Sequence, residues 1–177
     1  MALTATILKA KISIVDLDNH VYLNDIPLTV AQHPSETDNR VMLRLLAWML
    51  NVDAEARLAF TKGLCQDDEP DIWLKSDIDV IEHWIDLGQP SDKRLKKAAN
   101  QAEKVTVYTY GDRSASLWFK KVKYSADNLT VKFINDEIAE QLEKLYNRNM
   151  DLQLMIQDGE IQVMADGESI AIKVETW

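Results

Sequence analysis

The run from Ile78 to Tyr110 constrains the fold more than any other part of the chain. IDVIEHWIDL is rich in β-branched and aromatic residues, and Gly88 and Pro90 then stop it. Ser91 can cap a helix running to about Glu103, with Leu95, Ala98, Ala99 and Ala102 facing inward. KVTVYTY then resumes strand composition until Gly111 closes it. A connection long enough to hold a helix brings the second strand parallel to the first, as a crossover. The sequence therefore predicts an α/β fold with a mixed, twisted sheet.

Upstream, Glu69 to Leu74 reads as a strand opened by Pro70, folding back on Ile78–Leu87 through Lys75-Ser76-Asp77. A bend centred near Ile78 sets Asp86 across from Asp71. In the strand itself, His83 shares a face with Ile81 and Ile85, as a core histidine, while Glu82, Trp84 and Asp86 take the other. HPSETD is a helix start with Ser35 as cap. The helix then buries Val41, Met42, Leu45, Leu46, Met49 and Leu50. Glu36, Arg40 and Arg44 recur at four-residue spacing, either as a solvated ion ladder or with Glu36 and Arg44 turned into a cleft. A short strand is expected at Arg57–Leu64.

Both ends of the chain read as β-hairpins. Thr4–Val15 and Val21–Val30 are joined at Asp18-Asn19, with Pro27 marking the second strand as an edge. Leu152–Ile156, Ile161–Met164 and Ile170–Val174 are separated by Asp158-Gly159 and Asp166-Gly167 turns. Between them, Ala115–Val122 and Leu129–Phe133 alternate like strands, and a helix follows Asn135.

The 177 residues suit a single domain, with a core at about 36–110, an N-terminal hairpin at 4–30, and further strands and a helix at 115–175. No long apolar run or leader is visible, so no membrane association and a cytoplasmic location are expected. Cys65 stands alone, which excludes an internal disulfide and predicts an inert thiol. No histidine pair has zinc spacing, and there is no phosphate-binding glycine loop or serine elbow. A net charge of −9 weakens non-specific binding of polyanions, so a nucleic acid has to engage a local patch. The dense one is Lys93, Arg94, Lys96 and Lys97, with Lys104 beyond.

The helix-strand-strand-strand-helix-strand order from Glu36 to Tyr110 resembles the core of PD-(D/E)xK nucleases. The chain as a whole resembles the bacterial YaeQ family, through HPSETDNRVMLRLLAW, FTKGLCQDDEP, Trp73, Asp77, WIDLGQP, RLKKA and VYTYG. The resemblance implies carboxylates that hold Mg2+ or Mn2+ beside a phosphodiester, and a lysine that stabilises developing charge. Carried onto this sequence, Asp71, Asp86 and Glu36 are the metal ligands, with Glu69 and Asp77 as alternatives. The position of the motif lysine is Gly88, which leaves Lys93 or Lys97 to reach back. Two functions are implied: metal-dependent cleavage of nucleic acid, or a non-catalytic interaction protein that reuses the fold to bind a protein or nucleic-acid partner.

Overall fold

The computed structural model describes residues 4–61 and 68–177, and the chain divides into two compact units. Cys65 and the far end of the strand expected at Arg57–Leu64 lie outside the described residues.

The first unit comprises Met1–Ala56 and Glu137–Lys173. Its strands are β1 (Thr6–Asp16), β2 (Val21–Gln32), β8 (Asn149–Gln157), β9 (Glu160–Ala165) and β10 (Glu168–Ile172), in the order β10-β9-β8-β1-β2. The terminal hairpins join each other, because β1 pairs antiparallel with β2 and parallel with β8. Alternation decides the buried face: Ala10, Ile12 and Ile14 pair with Met150, Leu152 and Leu154, and all six are buried. Asp16 builds the first turn by accepting the amides of Asp18 and Asn19 at 3.1 and 2.9 Å. Asp18 accepts the amides of Asp158 and Gly159, both at 2.8 Å, so one turn holds the other. Helix α1 (Asp38–Asn51) is buried on every side from Val41 to Met49. Its cap is Thr37, whose hydroxyl accepts from the Arg40 amide. Ser35 is not the cap, because a turn closed by Glu36 N–H on the His33 carbonyl pairs its hydroxyl with the His33 ring.

The second unit comprises Arg57–Asp136 and Val174–Trp177. It holds β3 (Ala59–Phe60), β4 (Ile72–Lys75), β5 (Ile81–Leu87), helix α2 (Asp92–Gln101), β6 (Ala102–Tyr110), helix α3 (Asp112–Lys121), β7 (Leu129–Ile134) and β11 (Glu175–Thr176). The sheet runs β11-β7-β6-β5-β4-β3, with β5, β6 and β7 parallel and the outer strands antiparallel. Helix α4 (Asp136–Glu143) follows β7. The helix-strand-strand-strand-helix-strand order read between Glu36 and Tyr110 is the observed order from α1 to β6. The fold is mixed α/β, with its strands in two sheets.

One expected strand is a helix. Ala115, Leu117 and Phe119 alternate at period two, but residues 112–121 form α3, and of its residues only Ala115 is buried. Gly111, at φ 83°, ends β6, and Ser114 donates its hydroxyl to the Gly111 carbonyl at 3.1 Å. The parallel pairing of β6 with β7 demands a crossover in this stretch, and that topological need overrides local alternation.

The two helices share one face of the sheet. Leu95 of α2 packs with Val107 and Val131, and Trp118 and Val122 from the α3 end pack against the same cluster. Trp84, Ala98, Ala102 and Val105 extend this core along α2. Each fully buried large apolar side chain contributes about 1.5–3 kcal/mol relative to exposure.

Candidate functional site

Asp71 and Asp86 come together through strand register. Ile72 pairs with Ile85 and Trp73 with Trp84, so one step further sets Asp71 opposite Asp86. The Asp71 amide donates to the Ile85 carbonyl at 3.1 Å, and the Leu87 amide donates to Asp71 Oδ2 at 2.8 Å. The turn runs from Ser76 to Val80, with Asp79 at φ 66°, and centres at the expected Ile78. Asp86 shares its sheet face with Trp84, the face that α2 covers.

The cation that reaches back from α2 is Arg94. Its Nε donates to Asp86 Oδ2 at 2.7 Å and its second guanidinium nitrogen to Asp86 Oδ1 at 2.8 Å. The same nitrogen donates to the Glu69 carbonyl at 2.8 Å, which ties the approach to β4. The guanidinium lies 5.8 Å from the Trp84 ring, while Trp84 Nε1 is buried without an acceptor among the described residues. Asp86 is 2 % exposed and Asp71 6 %, whereas the Arg94 side chain is 26 % exposed, so a buried carboxylate is held by a cation that reaches the surface. Lys93 is exposed, and Lys97 is paired with Asp68. Among the lysines expected to replace the one missing at Gly88, neither is seen on Asp86. The sequence offered Arg94 only as part of a phosphate-binding patch, although a planar fork suits a bidentate carboxylate better than an ammonium.

Glu36 lies in the first unit with its carboxylate divided between two arginines. Arg40 holds Oε1 at 2.8 Å and Arg44 holds Oε2 at 2.9 Å. The Glu36 and Arg44 side chains are both 2 % exposed, so the ladder is buried rather than solvated. Arg44 also donates to the Ala31 carbonyl at 2.9 Å, fixing the end of β2 to α1. Asp77 is exposed in the β4–β5 turn.

These donors do not fit a divalent cation as they stand. Glu36 and Asp86 each have both oxygens on guanidinium groups. A divalent ion about 4 Å from a guanidinium is opposed by roughly 8 kcal/mol at an effective dielectric of about 20. Among the described residues no group of three or more His, Cys, Asp or Glu side chains is placed to hold a metal.

His83 is a core histidine, as its strand face implies. It is buried, its Nε2 lies 2.8 Å from Thr106 Oγ1, and burial together with Lys104 and Lys132 pushes its pKa down to about 4. No helix of the described residues is long and apolar enough to cross a membrane.

Comparison with known proteins agrees on one family. The YaeQ protein family matches residues 1–174. The chain is 43% identical to the protein named Uncharacterized protein YaeQ of Escherichia coli K12, and 42% identical to that of Salmonella typhi, covering all of this chain and 98% of each relative. The crystal structure of YaeQ from Xanthomonas axonopodis pv. citri superposes with TM-score 0.89 at 41% identity, covering 98% of both chains. That of Pseudomonas syringae YaeQ gives 0.84 at 30% identity, covering 97% of this chain and 95% of the other. The chain belongs to the YaeQ family.

Proposed function

We propose that this protein is a nucleic-acid-binding protein on a nuclease-like frame, one that holds its ligand without metal-dependent cleavage. One observation carries the reading: both oxygens of the buried Asp86 carboxylate are taken by Arg94. A metal at Asp86 has first to displace these two charge-assisted hydrogen bonds. The carboxylate positions that a nuclease reserves for a metal act here as internal counter-ions. They fix α2 against β5 and tie the approach to β4.

The second reading, hydrolysis of a phosphodiester with Mg2+ or Mn2+, is supported by a separate observation. Asp71 and Asp86 occupy facing positions at the ends of adjacent antiparallel strands, as paired metal ligands require. In that reading Arg94, rather than Lys93, supplies the positive charge beside the phosphate.

Titration calorimetry of the wild type with Mn2+, beside Asp71→Asn, separates the two. Binding heat absent from both proteins agrees with the non-catalytic reading. Manganese binding that disappears in Asp71→Asn, together with Mg2+-dependent shortening of DNA or RNA, establishes the hydrolytic one.

A further inference from the structure

We infer that the outer surface of α2 and α3 is a binding surface for single-stranded nucleic acid, with Phe119 as its stacking platform. The inference rests on the binding reading above and gives it a place on the molecule.

Charge is distributed very unevenly along the chain. Residues 91–124 hold nine basic and three acidic residues, a net of +6, in a chain of net −9, so the remainder carries −15. Folding concentrates this charge further. Arg94 and Lys97 turn to Asp86 and Asp68, whereas Lys93, Lys96, Arg113, Lys120, Lys121 and Lys123 stay exposed. Among the described residues none of these six has an ion-pair partner. Two of the three acids in the segment are occupied by backbone amides. Asp92 accepts from Lys123 and Tyr124 at 3.0 and 2.9 Å, and Asp112 accepts from Asp136 at 2.9 Å.

The same contacts join the two helices into one surface. Asp92 ties the start of α2 to the end of α3, and Trp118 Nε1 donates to the Pro90 carbonyl at 2.8 Å. Lys93, next to Asp92, is thereby brought to the end of α3 where Lys120, Lys121 and Lys123 lie.

Apolar surface is exposed on the same helix. Leu117 is 47% exposed and Phe119 40%, on a helix that buries only Ala115. Phe119 is the exposed member of an aromatic cluster, its ring tilted 56° to that of Trp177. Its ring centroid lies 5.0 Å from that of Trp177, which stacks on Phe133 at 4.5 Å with 20° between planes. A braced, partly exposed ring on a helix that also carries lysines suits an unpaired base and its phosphate together. A duplex offers the phosphates but keeps its bases stacked, and an acidic peptide or an anionic lipid surface offers no base to the ring.

Fluorescence anisotropy tests this with labelled oligo-dT and oligo-U of about 20 nucleotides, enough to span the per-module sites of known single-strand binders. The proteins are the wild type, Arg113→Glu/Lys120→Glu/Lys121→Glu/Lys123→Glu, Phe119→Ala, and Lys9→Glu/Lys144→Glu as a control. Expected are tighter binding of single strands than of duplex and at least thirtyfold loss in the quadruple variant, whose slope of log K against log salt shallows by about 3. Phe119→Ala loses about tenfold with its salt slope unchanged, and the control binds as wild type. A quadruple variant that is folded by circular dichroism and binds like wild type overturns the surface, while the binding reading stands. Preference for phosphatidylserine vesicles or polyglutamate over both oligonucleotides overturns it as well. Magnesium-dependent cleavage of either oligonucleotide by wild type overturns the non-catalytic reading, whatever the quadruple variant does.

Discussion

Two groups of basic side chains in this protein behave in opposite ways. Arg40, Arg44 and Arg94 point inward and are bound to carboxylates, with the Glu36 and Asp86 side chains nearly sealed from solvent. Lys93, Lys96, Lys120, Lys121 and Lys123 point outward. The difference follows the chemistry of the two cations. A planar guanidinium satisfies a buried carboxylate with two parallel hydrogen bonds and tolerates desolvation, whereas an ammonium on a flexible stem is best left hydrated. These three arginines build the frame, whereas the five lysines, with Arg113, stay hydrated. Carboxylates that look like metal ligands in the sequence are therefore, in Glu36 and Asp86, held by the arginines of the frame.

The largest effect expected from this contrast is on stability. Arg94→Met leaves Asp86 buried without its counter-ion, and chemical denaturation should show a loss of about 3–5 kcal/mol. Lys93→Met, one position away, should stay within about 0.5 kcal/mol of wild type. Equal losses in the two variants would erase the distinction. Glu36→Gln removes the carboxylate charge that Arg40 and Arg44 share in the first unit, and about 3 kcal/mol should be lost in the same measurement.

A smaller effect is carried by pH. His83 titrates near 6.5 when unfolded and near 4 when folded, because burial, Lys104 and Lys132 disfavour its charged form. Between these values the unfolded chain binds a proton that the folded one refuses, so stability rises with pH across that window. Acidification from about pH 6.5 to about pH 4 should cost roughly 1–3 kcal/mol through this residue. His83→Gln should flatten that part of the profile, and an unchanged slope would remove His83 as its source.

The smallest effects belong to the exposed set. Charge reversal at Lys120, Lys121 and Lys123 should move the denaturation midpoint little, since no internal contact is lost. Asp92→Ala should speed hydrogen exchange at the Lys123 and Tyr124 amides without a comparable change in the β6 amides. Asp92 is held ionised by those two N–H groups, its pKa lying below the usual value. The added protection is present above the ordinary aspartate range and fades as pH falls through the depressed pKa.

Much of this arrangement was legible in the sequence, for identifiable reasons. A bend near Ile78 fixes strand pairing by counting, so Asp71 opposite Asp86 follows once two antiparallel strands are recognised. The parallel crossover followed from the length of the segment between Leu87 and Val105. The basic residue that meets Asp86 was not legible, because Lys93 and Arg94 differ by about 100° around a helix and the helix phase depends on packing. The α3 surface was hidden by a pattern. Ala115, Leu117 and Phe119 alternate as on a half-buried strand, and only the parallel partner β7 forces a helix there. As a strand the segment would disperse its lysines over two faces. As a helix it ends on Lys120 and Lys121, next in sequence to an exposed phenylalanine. The signals that favoured the helix were Gly111-Asp112 at its start and Lys120-Lys121 at its end.

The most direct test is to incubate the wild type with labelled oligo-dT and oligo-U in magnesium and in manganese, reading anisotropy and product length from the same samples. The strands should be bound and recovered at full length with either metal. Shortened products that vanish in Asp71→Asn, a substitution that leaves the Asp86–Arg94 pair in place, would contradict this and return Asp71 and Asp86 to the role of metal ligands.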